Sequence, residues 1–176
     1  MNLKKEIFPI ILILILTSAR LIPHPPNFTP IITVAIMSGY LFRNIYLSFT
    51  TLIIAMLLAD SFIGFYDNVF FVYMALLFIV YIFYKISKKI NFKNLFIYGF
   101  FGSLVFFLIS NFGVWALGTH GVYDIPYEKN LKGLMECYVL GMPFFKNTLI
   151  STLLFTYSAY LTSIFYFKVS KKKITI

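Results

Sequence analysis

Charge is what this 176-residue sequence has least of: 15 Lys and Arg with 6 Asp and Glu make up only 12% of it. That is too little polar surface to coat a water-soluble domain of this length, so most of the exterior must meet lipid. A single cysteine, Cys137, excludes an internal disulfide framework and any multi-cysteine metal site. Two histidines, His24 and His120, with no H-E-x-x-H segment speak against a catalytic metal. The lack of a G-x-x-x-x-G-K-[ST] stretch excludes ATP hydrolysis by the chain itself through a P-loop. No cofactor and no metal are expected. Period-2 alternation is also missing, which removes β-strands from consideration, since only helices and closed barrels satisfy their backbone groups in lipid. Neither an internal repeat nor a low-complexity linker interrupts the chain, so residues 1–176 form one domain.

What the sequence does have is apolar length. Hydrophobic residues account for 60% of it and aromatics for 20%, with 22 Phe and 13 Tyr, and the mean hydropathy is +0.87. Six apolar segments can be marked, at 7–22, 31–42, 45–65, 68–84, 95–117 and 144–167. They predict an all-α, integral membrane six-helix bundle. The second segment is shorter than the roughly 20 residues that span hydrocarbon, so it must be extended, tilted or packed inside the bundle. Small residues four apart, Ala35 with Gly39 and Gly99 with Ser103, allow helices to approach closely.

The formal charge of +9 invites a nucleic-acid reading, but the cations flank apolar segments and are better explained by topology. With the N-terminus in the cytoplasm, Lys4, Lys5, Arg43, Lys85, Lys88, Lys89, Lys93, Lys168, Lys171, Lys172 and Lys173 fall inside, and Arg20, Lys129, Lys132 and Lys146 outside. Eleven against four is a clear positive-inside bias. Both termini are therefore expected in the cytoplasm of a multi-pass protein of the cell inner (cytoplasmic) membrane. The outer connections, 23–30, about 66–67 and 118–143, then carry most of the unusual chemistry. A competing reading makes Lys4, Lys5, the apolar run and Thr17-Ser18-Ala19 a cleavable secretory signal. It would leave the sidedness of every later loop unchanged.

The stretch from Arg20 to Pro30, Arg-Leu-Ile-Pro-His-Pro-Pro-Asn-Phe-Thr-Pro, is stiff and chemically mixed. Proline fixes φ and removes a backbone donor wherever it falls, so this is a structured loop suited to the rim of a pocket. It stands in one chain with Trp115, Gly118 and Tyr123, with Gly133-Leu134 and Cys137-Tyr138, and with Pro143-Phe-Phe-Lys-Asn-Thr148. Together these resemble a family of small prokaryotic membrane proteins held to be transport proteins, similar to the substrate-binding S components of energy-coupling-factor (ECF) transporters. The resemblance covers most of the chain. It implies a compact six-helix protein that captures a vitamin or similar micronutrient on the outer face. It further implies delivery by toppling in the membrane when the protein is engaged by a coupling subunit and two ATPases. The first helix departs from the pattern: it lacks the small-xxx-small alanines that many S components present to that subunit.

The candidate ligand-binding residues are Arg20, His24, Asn27, Phe28, Asp60, Trp115, Tyr123 and Asn147. Arg20 and Asp60 are ionisable groups at membrane depth, which pair or face a ligand: either a structural ion pair, or Arg20 orienting an anionic or carbonyl group while Asp60 holds its guanidinium. His24, between Pro23 and Pro25, projects from a constrained loop. Asn27 and Asn147 sit beside aromatic rings, and each also reads as a helix N-cap. Trp115 and Tyr123 read either as an interfacial belt or as faces for a planar ligand. Cys137 reads as an inert small residue.

These readings converge on capture of a small, vitamin-like ligand for import, with membrane lipid, a coupling subunit and ATPases as partners and no nucleic acid. The alternative is a membrane-embedded enzyme acting on a lipid or isoprenoid group, for which His24, Asp60 and His120 are the available acid-base set. A structural or assembly subunit is the third class.

Overall fold

The structure, a computed structural model, describes residues 3–42, 44–86, 90–119 and 126–174. Every regular element in the described residues is helical: α1 (Leu3–Ser18), a 3-10 turn (Ala19–Leu21), α2 (Ile31–Leu41), α3 (Ile45–Ile63), α4 (Val69–Ile86), α5 (Leu95–Leu117) and α6 (Leu131–Ile174). Four of them, α3, α4, α5 and α6 up to Lys168, are long and apolar enough to cross a membrane. At 16 residues α1 is shorter, and α2 has 11.

The short α2 is the hub. Residues Ile31 to Gly39 are all buried, and the helix packs against each of the other five. Eleven residues at 1.5 Å rise give about 16 Å, half of the roughly 30 Å of hydrocarbon. A short helix is tolerable here because protein, not lipid, surrounds it. Its closest neighbour is α4. A Cβ on Gly39 would lie 2.5 Å from the Val80 carbonyl oxygen, so the two backbones meet where no other residue fits. Gly99 plays the same part between α5 and α6, where its missing Cβ makes room for Leu153.

The outward surface is apolar, and polar side chains lie among the buried apolar core. Outward-facing positions on α3, α4 and α5 carry Leu58, Phe62, Phe70, Phe78, Phe96 and Phe101. Inside lie Thr33, Ser38, Asp60, Ser103, Ser151 and Thr156. Thr33 Oγ1 is 2.9 Å from Thr156 Oγ1, tying α2 to α6 with a hydroxyl pair in a region where an unsatisfied polar group is costly.

Helix ends follow the local sequence. Asn44 caps α3, its Oδ1 accepting from the Tyr46 N–H at 2.8 Å. Gly118, in the left-handed region at φ 67°, ends α5: its N–H bonds the Trp115 carbonyl, and the Thr119 N–H bonds that of Val114.

The expected boundaries of the sixth helix need correction. The stretch 131–143, read as part of a long outer connection, is helical, and α6 begins at Leu131 rather than 144. Asn130 starts it, its Oδ1 accepting the Gly133 N–H at 2.9 Å. The first turns then lie on α5, with Tyr138 donating to the Leu108 carbonyl at 2.9 Å and Gly141 against Asn111. Pro143 sits inside the helix, where neighbouring segments tolerate the missing N–H.

Candidate functional site

The connections α1–α2, α3–α4 and α5–α6 all lie at one end of the bundle, and a cavity of about 560 Å³ opens there. Its wall is drawn from every connection at that end and from the adjacent helix turns. Arg20, His24, Asn27 and Thr29 come from the Pro-rich loop, Tyr66 and Asn68 from the α3–α4 corner, Phe106 to Val114 from α5, and Cys137 to Thr148 from α6. The volume suits a small organic molecule.

Arg20 is the one Lys, Arg, Asp or Glu among the described lining residues. The 3-10 turn at the end of α1 places it 9% exposed. Its Nη2 lies 2.8 Å from Asp60 Oδ1, and Asp60, on the inner side of α3, is fully buried. Nη1 contacts Met56 Sδ at 3.3 Å. No N–H is aligned on Asp60 Oδ1, so the contact is a charge pair rather than a directed hydrogen bond. The other carboxylate oxygen, Oδ2, accepts from the Tyr73 hydroxyl at 2.8 Å. Tyr66, which lines the cavity, also takes a hydrogen bond from Arg20. Burial first, and then the Asp60 charge, push its phenol up to about 12, with Arg20 pulling the other way. The hydroxyl therefore stays protonated under all ordinary conditions.

The Pro-rich loop is held from two sides. Pro25 to Phe28 form a turn, closed by the Phe28 N–H on the Pro25 carbonyl at 3.0 Å, with Pro26 in the second position and Asn27 at φ 60° in the third. That is the position of a type II turn which favours Gly or Asn. Asn27 is accordingly a turn residue and not a helix cap; Pro30 precedes α2, without a side-chain cap. From the other side, Asn147 Nδ2 donates to the Pro26 carbonyl at 3.0 Å and Ser151 Oγ to that of Thr29 at 3.1 Å. Asn147 lies within α6, so it caps nothing; it fastens the loop.

Of the eight residues proposed from sequence, Arg20, His24 and Asn27 line the cavity together. Asp60 sits behind Arg20, Asn147 behind the loop, and Phe28 packs edge-on to Phe155 with centroids 6.3 Å apart. Trp115 is turned to the α5–α6 connection: its Nε1 donates to the Glu128 carbonyl at 2.9 Å. Lys129 Nζ caps the end of α5 by donating to the Trp115 and Ala116 carbonyls, and it lies 5.6 Å from the Trp115 ring centroid. Tyr123 and His120 lie outside the described residues. His24 bonds its own neighbour, the Pro25 carbonyl, and makes no hydrogen bond with Asp60 among the described residues. No three His, Cys, Asp or Glu side chains in the described residues come together as a metal-holding group.

The sequence reading passed over Tyr66, Asn68, Ser110, Asn111 and Thr148, all of which line the cavity. A signal was present in Ser110-Asn111, a polar pair within the last turns of an apolar 23-residue helix, because such residues in a spanning segment face the protein interior.

The chain matches DUF6580, a family of unknown function, over residues 2–174, and belongs to that family. No curated protein and no solved structure matches it.

Proposed function

We propose that this DUF6580 protein is the ligand-capturing subunit of a membrane uptake system, similar in kind to the S components of ECF transporters. The single observation that carries the proposal is the cavity, with its one formal cation, Arg20, backed by the fully buried Asp60. A buried ion pair is a poor source of stability, because desolvation offsets much of the Coulombic gain. Placed at the wall of an organic-sized cavity, it makes sense as a preorganised contact for a ligand. The cavity lies at the end with few cations, which the positive-inside rule assigns to the outside. The protein then sits in the inner (cytoplasmic) membrane with both termini in the cytoplasm, takes a small micronutrient-like molecule from outside, and hands it inward. The energy comes from an ATP-driven coupling complex, since the chain has no P-loop.

The test is isolation of the tagged protein from its native host in mild detergent. Recovery of a membrane coupling subunit with ATPases, and of a retained small molecule by mass spectrometry, is expected. Recovery of the chain alone, with turnover of an added lipid or isoprenoid substrate, would replace capture with the enzyme reading.

A further inference from the structure

The hydrogen-bonding sense of the cavity wall goes one step further, on the premise that this cavity is the capture site. A hydroxyl has one hydrogen to donate, and two wall hydroxyls have already committed theirs to their own helices. Ser110 Oγ donates to the Phe106 carbonyl at 2.7 Å and Thr148 Oγ1 to that of Phe144 at 2.9 Å. His24 Nδ1 lies 2.9 Å from the Pro25 carbonyl oxygen, which can only accept, so Nδ1 carries a proton, and of the two neutral tautomers this is the one that offers Nε2 as a lone pair. Asn111 Nδ2 donates to the Phe107 carbonyl at 2.9 Å and Asn68 Nδ2 to that of Ser110 at 3.4 Å, which settles the sense of both amides. Their Oδ1 atoms are the acceptors left over; that of Asn111 lies against Gly141, where a Cβ would come within 2.7 Å of it. All five residues line the cavity. Against these acceptors stand donors at one place, Arg20, with a formal charge already balanced by Asp60, and beside it the Tyr66 hydroxyl, which accepts from Arg20 and keeps its own hydrogen.

We infer that the ligand is the complement of this wall: a small molecule with several N–H or O–H donors on its body and a single carboxylate or carbonyl group directed at Arg20. A body of acceptors would meet lone pairs with lone pairs and lose its hydration without replacement. A second acid group would find no further Lys or Arg among the described lining residues.

The experiment compares three probes of one shape on the purified full-length protein in detergent: diaminobenzoate, dimethoxybenzoate and diaminotoluene, all with the same ring substitution pattern. Affinity is read by calorimetry. Diaminobenzoate should bind most tightly, with dimethoxybenzoate weaker by about tenfold or more, since two donors are replaced by two acceptors at about a kcal/mol each. Diaminotoluene, lacking the acid group, should also be weaker. In the Ser110→Ala, Thr148→Val double variant the preference for diamino over dimethoxy should shrink several-fold, because each lost hydroxyl removes an acceptor. Silence from all three probes, or dimethoxybenzoate binding as tightly as diaminobenzoate, overturns the inference. The capture reading is judged separately: a small molecule retained from native membranes upholds it whichever way the probe order falls.

Discussion

Arg20 and Asp60 stand 2.8 Å apart on different elements, the end of α1 and the inner side of α3, with 39 residues of chain between them and one of the two facing a cavity. The pair links the integrity of the fold to the chemistry of the site, and the two roles separate experimentally. Arg20→Met and Asp60→Leu each leave a buried charge without its partner and should each cost about 3 to 5 kcal/mol, while the double replacement should recover most of it. If Arg20 also contacts ligand, the recovered double variant stays inactive in uptake, and Asp60→Asn weakens uptake less than Arg20→Ala. A double variant that is both stable in thermal unfolding and fully active would remove Arg20 from the site.

Tyr66 reports on the same pair. Its phenol is held up to about 12 by burial and by the Asp60 charge. Below pH 10 the phenol is neutral in both folded and unfolded chains. Between about 10 and 12 the unfolded chain releases the proton and the folded one does not, so stability falls as pH rises through that window. The difference in phenolate absorbance between wild type and Tyr66→Phe should show one late-titrating group, and Asp60→Asn should move it earlier. An ordinary midpoint in the wild type would contradict the placement of Tyr66.

The α5–α6 connection depends on Lys129. Lys129→Met should expose the last carbonyls of α5 and remove the cation from the Trp115 ring, costing about 1 kcal/mol. Trp115 is the single tryptophan, so its emission isolates the event: a shifted spectrum with the bundle still folded is expected. An unchanged spectrum would mean that Lys129 does not hold this segment.

Gly39 is the tightest point of the α2–α4 crossing. Gly39→Ala places a Cβ 2.5 Å from the Val80 carbonyl oxygen, and backbone, unlike a side-chain tip, cannot swing away. A loss of about 1 to 3 kcal/mol is expected in thermal unfolding. Gly102→Ala, facing only Ile32 and Ile36 side chains at 3.3 Å, should cost less. Equal losses would argue against the close backbone approach.

Sidedness follows from the cation count. In a Cys137→Ser background, Lys132→Cys should react with an impermeant thiol reagent from outside intact cells, and Lys93→Cys only after the membrane is opened. Labelling of Lys93→Cys from outside would invert the topology and put the cavity in the cytoplasm.

The helical class was legible because a chain with so few charges and continuous apolar runs has no other way to satisfy its backbone in lipid. Helix α5 coincides with the apolar run at 95–117, which stops at Gly118, where a glycine in the left-handed region ends the helix by local chemistry. The start of α6 was not legible. Residues 131–143 carry Lys132, Glu136 and two glycines, which read as loop until α5 is present to cover Cys137 and Gly141.

The site divides in the same way. From the sequence by itself came the stiffness of the 20–30 loop, the rarity of charge that singles out Arg20 and Asp60, and the cation asymmetry between the two ends. These are properties of residue type and spacing, which need no neighbours. Only the tertiary structure decided that Asn147 fastens the loop through Pro26 and that Trp115 belongs to the α5–α6 connection. It also decided that Ser110, Asn111 and Thr148, from two different helices, line one cavity. Asn147 and Pro26, like Trp115 and Glu128, lie on separate segments, and a donor comes within about 3 Å of such a carbonyl only once the helices have packed.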